Sequence, residues 1–185
     1  MSVLLYPTCP TDCAGLLPEP LFVDCAPELR YGEIEWLIIA RADAAPFTNI
    51  EDLSEWNARV ALANTDPNAI SIFHVIADLP EPEVTETTIS GDRTVRGDKK
   101  FTLPFTIDEL NDQNYEAHLT IECGNQFLFW FVTADGHIYN GNEGQLASML
   151  TNLVIPRERT ALVTIVGKMT WTNKRSPLIG IYPLA

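Results

Sequence analysis

The densest run of apolar positions is Phe127–Val132, six in a row with four aromatic residues, which predicts a strand buried on both faces. Ala134-Asp135-Gly136 then predicts a tight turn, with Gly136 free to take a positive φ, and His137-Ile138-Tyr139 predicts the returning strand. A hairpin this apolar belongs between two layers, or between one layer and a neighbouring subunit. Upstream, Glu33–Ala40 starts with alternation and becomes continuously apolar, which predicts a strand entering the core with Trp36 facing inward. Lys99–Ile107 alternates at Phe101, Leu103, Phe105 and Ile107, while Pro104 removes one amide from its ladder, so an edge strand or a bulge is expected. Ala69–Ile76 and Ala161–Trp171 read as further strands, and Leu178–Pro183 as a short edge strand.

Helical signals are fewer. Thr48-Asn-Ile-Glu51 has the pattern of a capping box, and Ile50, Leu53, Trp56, Val60 and Ala63 recur at helical spacing behind it. Residues 112–123 carry both periods. Tyr115, Ala117, Leu119, Ile121 and Cys123 alternate as in a strand, yet Tyr115/Leu119 and Ala117/Ile121 are i,i+4 pairs between Asp112 and Gly124, and the flanking caps tip the choice to helix. Gln145–Leu153 reads as a short helical turn. Asp78–Thr88, acidic and marked by prolines, reads as a linker or loop, and Gly91-Asp92 and Gly97-Asp98 as turns. Residues 7–32 hold five prolines and two glycines, a density that forbids a regular helix or a central strand. The expected organisation is therefore a Pro/Cys-rich extended arm over residues 1–32 and a single β-rich domain over residues 33–185. The expected fold is mainly β with some α, a β-sandwich or partial barrel with one or two flanking helices and long loops.

Composition narrows the function. With 185 residues the chain can bury roughly 70% of its unfolded surface. The formal charge of −13 argues against tight binding of nucleic acid or an anionic membrane. The charge is uneven: 10 acidic and 3 basic groups in residues 1–60, 12 and 4 in 61–125, 3 and 5 in 126–185. That asymmetry suits head-to-tail contacts between copies of an acidic protein. No apolar run reaches the 18 residues of a membrane span. The start, Met-Ser-Val-Leu-Leu-Tyr-Pro, lacks the basic and apolar regions of a signal peptide, although a mature secreted chain given a new Met would look the same.

Cys9, Cys13, Cys25 and Cys123 could form two disulfides in an oxidising compartment; no Cys-x2-Cys pair or nearby His supports zinc, and reduced thiols are the simplest reading. Cys123 with His118 or His137, oriented by Asp135, is the only nucleophilic combination on offer. It lacks a supporting motif. The loop Asn140-Gly-Asn-Glu-Gly144 has no Lys and no strand-to-helix setting for phosphate. The chain is not expected to be an enzyme, and no catalytic, cofactor-binding or metal-binding residue is assigned. Trp36, Trp56, Trp130 and Trp171 fall one to each strong element, as core anchors do.

The order of pieces is a strand with Trp36, a helix with Trp56, an acidic loop, Gly-Asp-Arg and Gly-Asp-Lys turns, Asn111-Asp-Gln-Asn-Tyr115, then Phe-Trp-Phe-Val-Thr-Ala-Asp-Gly-His-Ile-Tyr. Over about residues 33–171 this order resembles small virion structural proteins of tailed bacteriophages of Bacteroidetes, of the tail-tube or neck-ring kind. The first 30 residues depart from it. The resemblance implies a small sandwich or partial barrel whose inter-subunit sheet closes into a ring, with other virion proteins as partners, assembly in the bacterial cytoplasm and no cofactor. An acidic lining would let DNA slide past without sticking. The alternative is a secreted or surface β-sandwich module binding a glycan or protein, in which the cysteines would be paired.

Overall fold

A computed structural model describes residues 32–89, 93–124, 126–158 and 160–184, which belong to a unit spanning Tyr31–Ala185. The arm expected over residues 1–32 lies outside the described residues apart from Gly32, as do Cys9, Cys13, Cys25 and the Gly91-Asp92 turn. The structure is mainly β. Strand β1 (Ile34–Arg41) pairs antiparallel with β2 (Ile70–Ala77) on one edge and with β5 (Gln126–Thr133) on the other. From β2 the antiparallel ladder runs to β4 (Arg93–Ile107), β8 (Thr164–Asn173) and β7 (Gln145–Val154), and β7 returns to β5. Six strands thus close a barrel, which leaves few edges to protect. The closure is uneven, because β2 and β4 share only Ile76↔Thr106 and Ala77↔Phe105. Strand β3 (Glu83–Ile89) pairs with β4, and β6 (His137–Tyr139) and β9 (Ile179–Ile181) continue the sheet beyond the far half of β5.

The apolar pattern explains the layers. Phe101, Leu103, Phe105 and Ile107 of β4 all point into the barrel, where they meet Trp171, Met169, Gly167 and Ile165 of β8. From β5, Phe129 and Phe131 point inward while Trp130 and Val132 point outward, and both pairs are buried. The second layer over Trp130 is the segment 42–52 with helix α1 (Leu53–Val60). This is the two-sided burial that the six-residue apolar run predicts. A register shift between Ile34 and Trp36 resets the alternation of β1, so Ile34 and Leu37 both face inward. Trp36 consequently turns outward, half-buried and 5.1 Å from the His74 ring, not inward as its place in the run suggested.

Helix α1 starts later than the Thr48–Glu51 box predicts. Its N-cap is Asp52, whose carboxylate accepts from the amide and hydroxyl of Ser54 and is thereby held below the usual carboxylate range. Glu51 instead accepts the Ile181 amide at 3.1 Å, and Glu55 reaches back to the amides of Thr48 and Asn49. Trp56, fully buried, donates from Nε1 to the Ile50 carbonyl and stacks on Phe47 at 4.4 Å. Arg59 covers the Phe47 ring at 3.9 Å while donating to the carbonyls of Ala45 and Pro46, so one side chain satisfies a loop and fixes the aromatic stack.

Tyr182 sits edge-on to Trp56 in the same cluster, and burial pushes its phenol up to about 12. A folded-state value raised above the ordinary 10 means that stability is complete below pH 10 and is lost as pH climbs from there through about 12. Alkaline titration followed by tryptophan fluorescence is expected to show that loss in the wild type and a smaller one in Tyr182→Phe; equal slopes would contradict it.

Three expectations need correction. Residues 83–88, read as part of a linker, belong to β3 (Glu83–Ile89): Val84, Thr85, Thr87, Thr88 and Ile89 are β-branched and suit a ribbon even with few large apolar groups. Gly97-Asp98 is not a turn. It is a bulge in β4, two residues opposite Thr85, where a Cβ on Gly97 would lie 2.9 Å from the Thr85 carbonyl oxygen. Gln145–Leu153 is not helical but lies in β7, with Ala147, Met149 and Thr151 inward and Leu146 and Leu150 outward. Pro104 lies where β4 has neither β3 nor β2 as a partner, the ladders ending at Lys100 and resuming at Phe105, so the strand is locally an edge.

Residues 112–123 do form a helix, α2 (Asp112–Cys123). Asn111 is its N-cap, accepting from Asn114, and Gly124 ends it in an extended rather than left-handed conformation. Only His118 and Ile121 of α2 are buried, Ile121 against the barrel core. The predicted hairpin turn at 134–136 is present, with Gly136 at φ 79°. Among the described residues no helix is long and apolar enough to cross a membrane.

Candidate functional site

The nucleophilic candidates do not converge. Cys123 is a free, exposed thiol at the end of α2. His118, on the same helix, is buried; its Nδ1 meets the Thr151 hydroxyl at 2.8 Å and its Nε2 lies 3.6 Å from Glu122. His137 stands on β6 with Nδ1 3.1 Å from Asp135, too poorly aligned for a full hydrogen bond. Asp135 accepts instead from the Thr133 hydroxyl, which holds its carboxyl below the ordinary range with a smaller contribution from His137. Asp135 is thus engaged by Thr133 and His137 at the hairpin turn, while Cys123 stands on a different element, at the end of α2. These groups tie a hairpin turn and a helix to the barrel. Among the described residues no three His, Cys, Asp or Glu side chains gather as metal ligands.

The unusual surface lies on the opposite wall. The outer face of β1 and β5 is covered by α1 and the 42–52 segment. Among the described residues the outer face of β4, β8 and β7 carries no such layer. Its rows can be read from the registers: Ile76–Thr106–Val166–Asn152, then Pro104–Lys168–Leu150, then Thr102–Thr170–Ser148. Ile76 and Leu150 are each 53% exposed, with Leu146 and Val154 at the ends of the same strand also exposed. Isolated exposed leucines are ordinary. A sheet face on which exposed apolar residues and threonines share neighbouring rows with few charges suits an interaction site. The β-branched and small polar residues here are those that pack well against a second sheet or strand layer.

Beside this face the sheet continues as a ribbon. The β4–β8 ladder ends at Lys99↔Asn173, whereas β3 and β4 go on pairing to Ile89↔Arg93, so the last turns of the ribbon have no third strand among the described residues. Glu83, Val84, Thr85 and Glu86 are exposed at consecutive positions, which puts solvent on both faces. A two-stranded ribbon is marginal alone and becomes rigid on docking to something else. At its base lies a hollow of about 680 Å³ bordered by Pro80, Pro82, Val84, Phe101 and Pro177.

Sequence reasoning missed the bare face because it depends on which strands neighbour each other, information that local periodicity lacks. No protein-family model matches the sequence, and no curated protein matches it.

Proposed function

We propose that this chain is a structural subunit that assembles with copies of itself into a ring, as a tail-tube or neck-ring component of a phage virion, and that it acts by packing and not by catalysis. The observation that carries the reading is the contrast between the two walls of the barrel. One is sealed by α1 with Trp56 and Trp130 beneath it, and the other presents Ile76, Leu150 and Val166 to solvent. The barrel interior holds Phe101, Phe105, Phe129, Met149, Met169 and Trp171, all buried, as in a packed core. Trp56, Trp130 and Trp171 are all buried and Trp36 is half-buried beside His74, as suits packing anchors more than a glycan platform. The bare face itself carries Lys168, with Lys100 at its border, so it suits contact with the acidic surfaces of a neighbour better than it suits an acidic DNA channel.

Light scattering with negative-stain imaging of the purified chain tests this. Rings or tubes are the expected result, and a strict monomer at high concentration contradicts it.

A further inference from the structure

Among the described residues the barrel is weakly closed between β2 and β4, and that gap has the form of a peptide groove. Strand β2 pairs along its whole length with β1, but on its other edge it meets β4 only through Ile76 and Ala77. Among the described residues no strand pairs with Ile70–Val75 on that side. Alternate residues of this stretch therefore turn backbone N–H and C=O groups away from β1, toward a side where no strand pairs with them among the described residues. A cavity of about 610 Å³ lies between α2 and the end of the barrel formed by β1 and β2. Its apolar parts include Ile39, Phe73, Ile121 and Phe127, and its helical wall presents Gln113, Asn114, Glu116 and Thr120. An unpaired strand edge beside a helix, with an apolar base between them, accommodates an extended chain that adds as one more strand. The open edge spans roughly 20 Å, the length of five or six extended residues.

Charge selects the occupant. The rim holds Asp66, Glu116 and Arg41; the guanidinium of Arg41 is already paired with Asp43 at 3.0 Å, while the Glu116 side chain is exposed. The rim is thus effectively acidic. The barrel side of the groove accepts alternate apolar side chains, and the rim accepts basic ones between them. We propose that this groove binds an extended, alternately apolar and basic segment of another protein as an added strand along β2. The chain's own first 31 residues carry Asp12, Glu19, Asp24 and Glu28 against the single Arg30, so their charge does not suit this rim. The proposal goes beyond the ring reading but borders the same wall, since Ile76 of β2 pairs with β4 and α2 meets β7 through His118 and Thr151; the peptide test reads strand addition and not self-association.

The test uses the full-length protein and a blocked pentapeptide alternating valine and lysine, followed by fluorescence anisotropy and by amide hydrogen exchange. Saturable binding is expected, with exchange slowed at alternate amides within Ser71–Val75. Glu116→Lys, an exposed substitution that leaves the fold intact, is expected to weaken binding at least about tenfold. Methylating the peptide on one alternate set of amides should abolish binding and on the other set should spare it, because only one set faces β2. No saturable binding at millimolar peptide, binding without protection at Ser71–Val75, or equal binding of both methylated isomers would each overturn the proposal.

Discussion

Gly167→Val is expected to destabilise the barrel by roughly 3 kcal/mol, measured as a lowered urea midpoint with an unchanged slope. A Cβ at position 167 would lie 2.3 Å from Cζ of Phe105 and 2.8 Å from the carbonyl oxygen of Leu150. The first neighbour is a ring held among Leu103, Met169 and other interior side chains, so it has little space in which to retreat. The second is backbone of β7, fixed by the Thr151↔Gly167 and Leu150↔Lys168 pairs, and it can move only by loosening the ladder. Sequence alone presents this glycine as an ordinary interruption of a strand. In the fold it is the space into which the Phe105 ring fits. Trimming the ring in the double variant Gly167→Ala/Phe105→Leu should therefore cost less than the two single changes added together, and simple additivity would show that the ring is not the obstacle.

Trp56→Ala is the second large effect, a loss of about 3–5 kcal/mol. Helix α1 has only eight residues, Leu53 and Val60 are about half exposed, and a helix of two turns does not persist in water by itself. Its attachment rests on the Trp56 indole, which stacks on Phe47, meets Trp130 and Tyr182 edge-on, and donates to the Ile50 carbonyl. Removing it leaves that carbonyl without its donor and a void among three rings. The expected signature is a red-shifted emission from Trp130 with the far-ultraviolet β signal retained, since the inner core does not include Trp56. A loss under about 1 kcal/mol would mean that the 42–52 segment holds the layer without the helix.

The parts of this fold that were legible share one property: their pattern is set by burial at every second or every position. Phe101, Leu103, Phe105 and Ile107 mark the inner wall of β4, and the run Phe127–Val132 marks the strand with structure on both sides. Where burial does not set the pattern, local reading fails. In β7, Leu146 and Leu150 lie on the bare outer face and fill the polar phase of the alternation, so the segment imitates a helical stripe. In β3 both faces are wet at Glu83–Glu86, and threonines and glutamates give no contrast from which to read a period. Residues 112–123 alternate by coincidence, and only the Asn111 cap and the Ile121 contact with the barrel show why a helix wins. Trp36 is a subtler case, because one register shift in β1 moved it to the other side of the sheet. The candidate surface was the least legible, for it is defined by the lack of a covering layer over β4, β8 and β7 among the described residues. The barrel makes sense of the acidic composition only in part, since the bare face bears lysines while the acidic groups lie mostly elsewhere.

Sedimentation velocity of the wild-type chain beside the double variant Leu150→Asp/Val166→Asp addresses the assembly reading most directly. Both positions are exposed, so the variant is expected to keep its monomer stability within about 0.5 kcal/mol. The account predicts a large, concentration-dependent species for the wild type and a monomer for the variant, because two carboxylates on the bare face cannot be buried against a neighbour without partners. Identical sedimentation of the two proteins, whether both assembled or both monomeric, would contradict it.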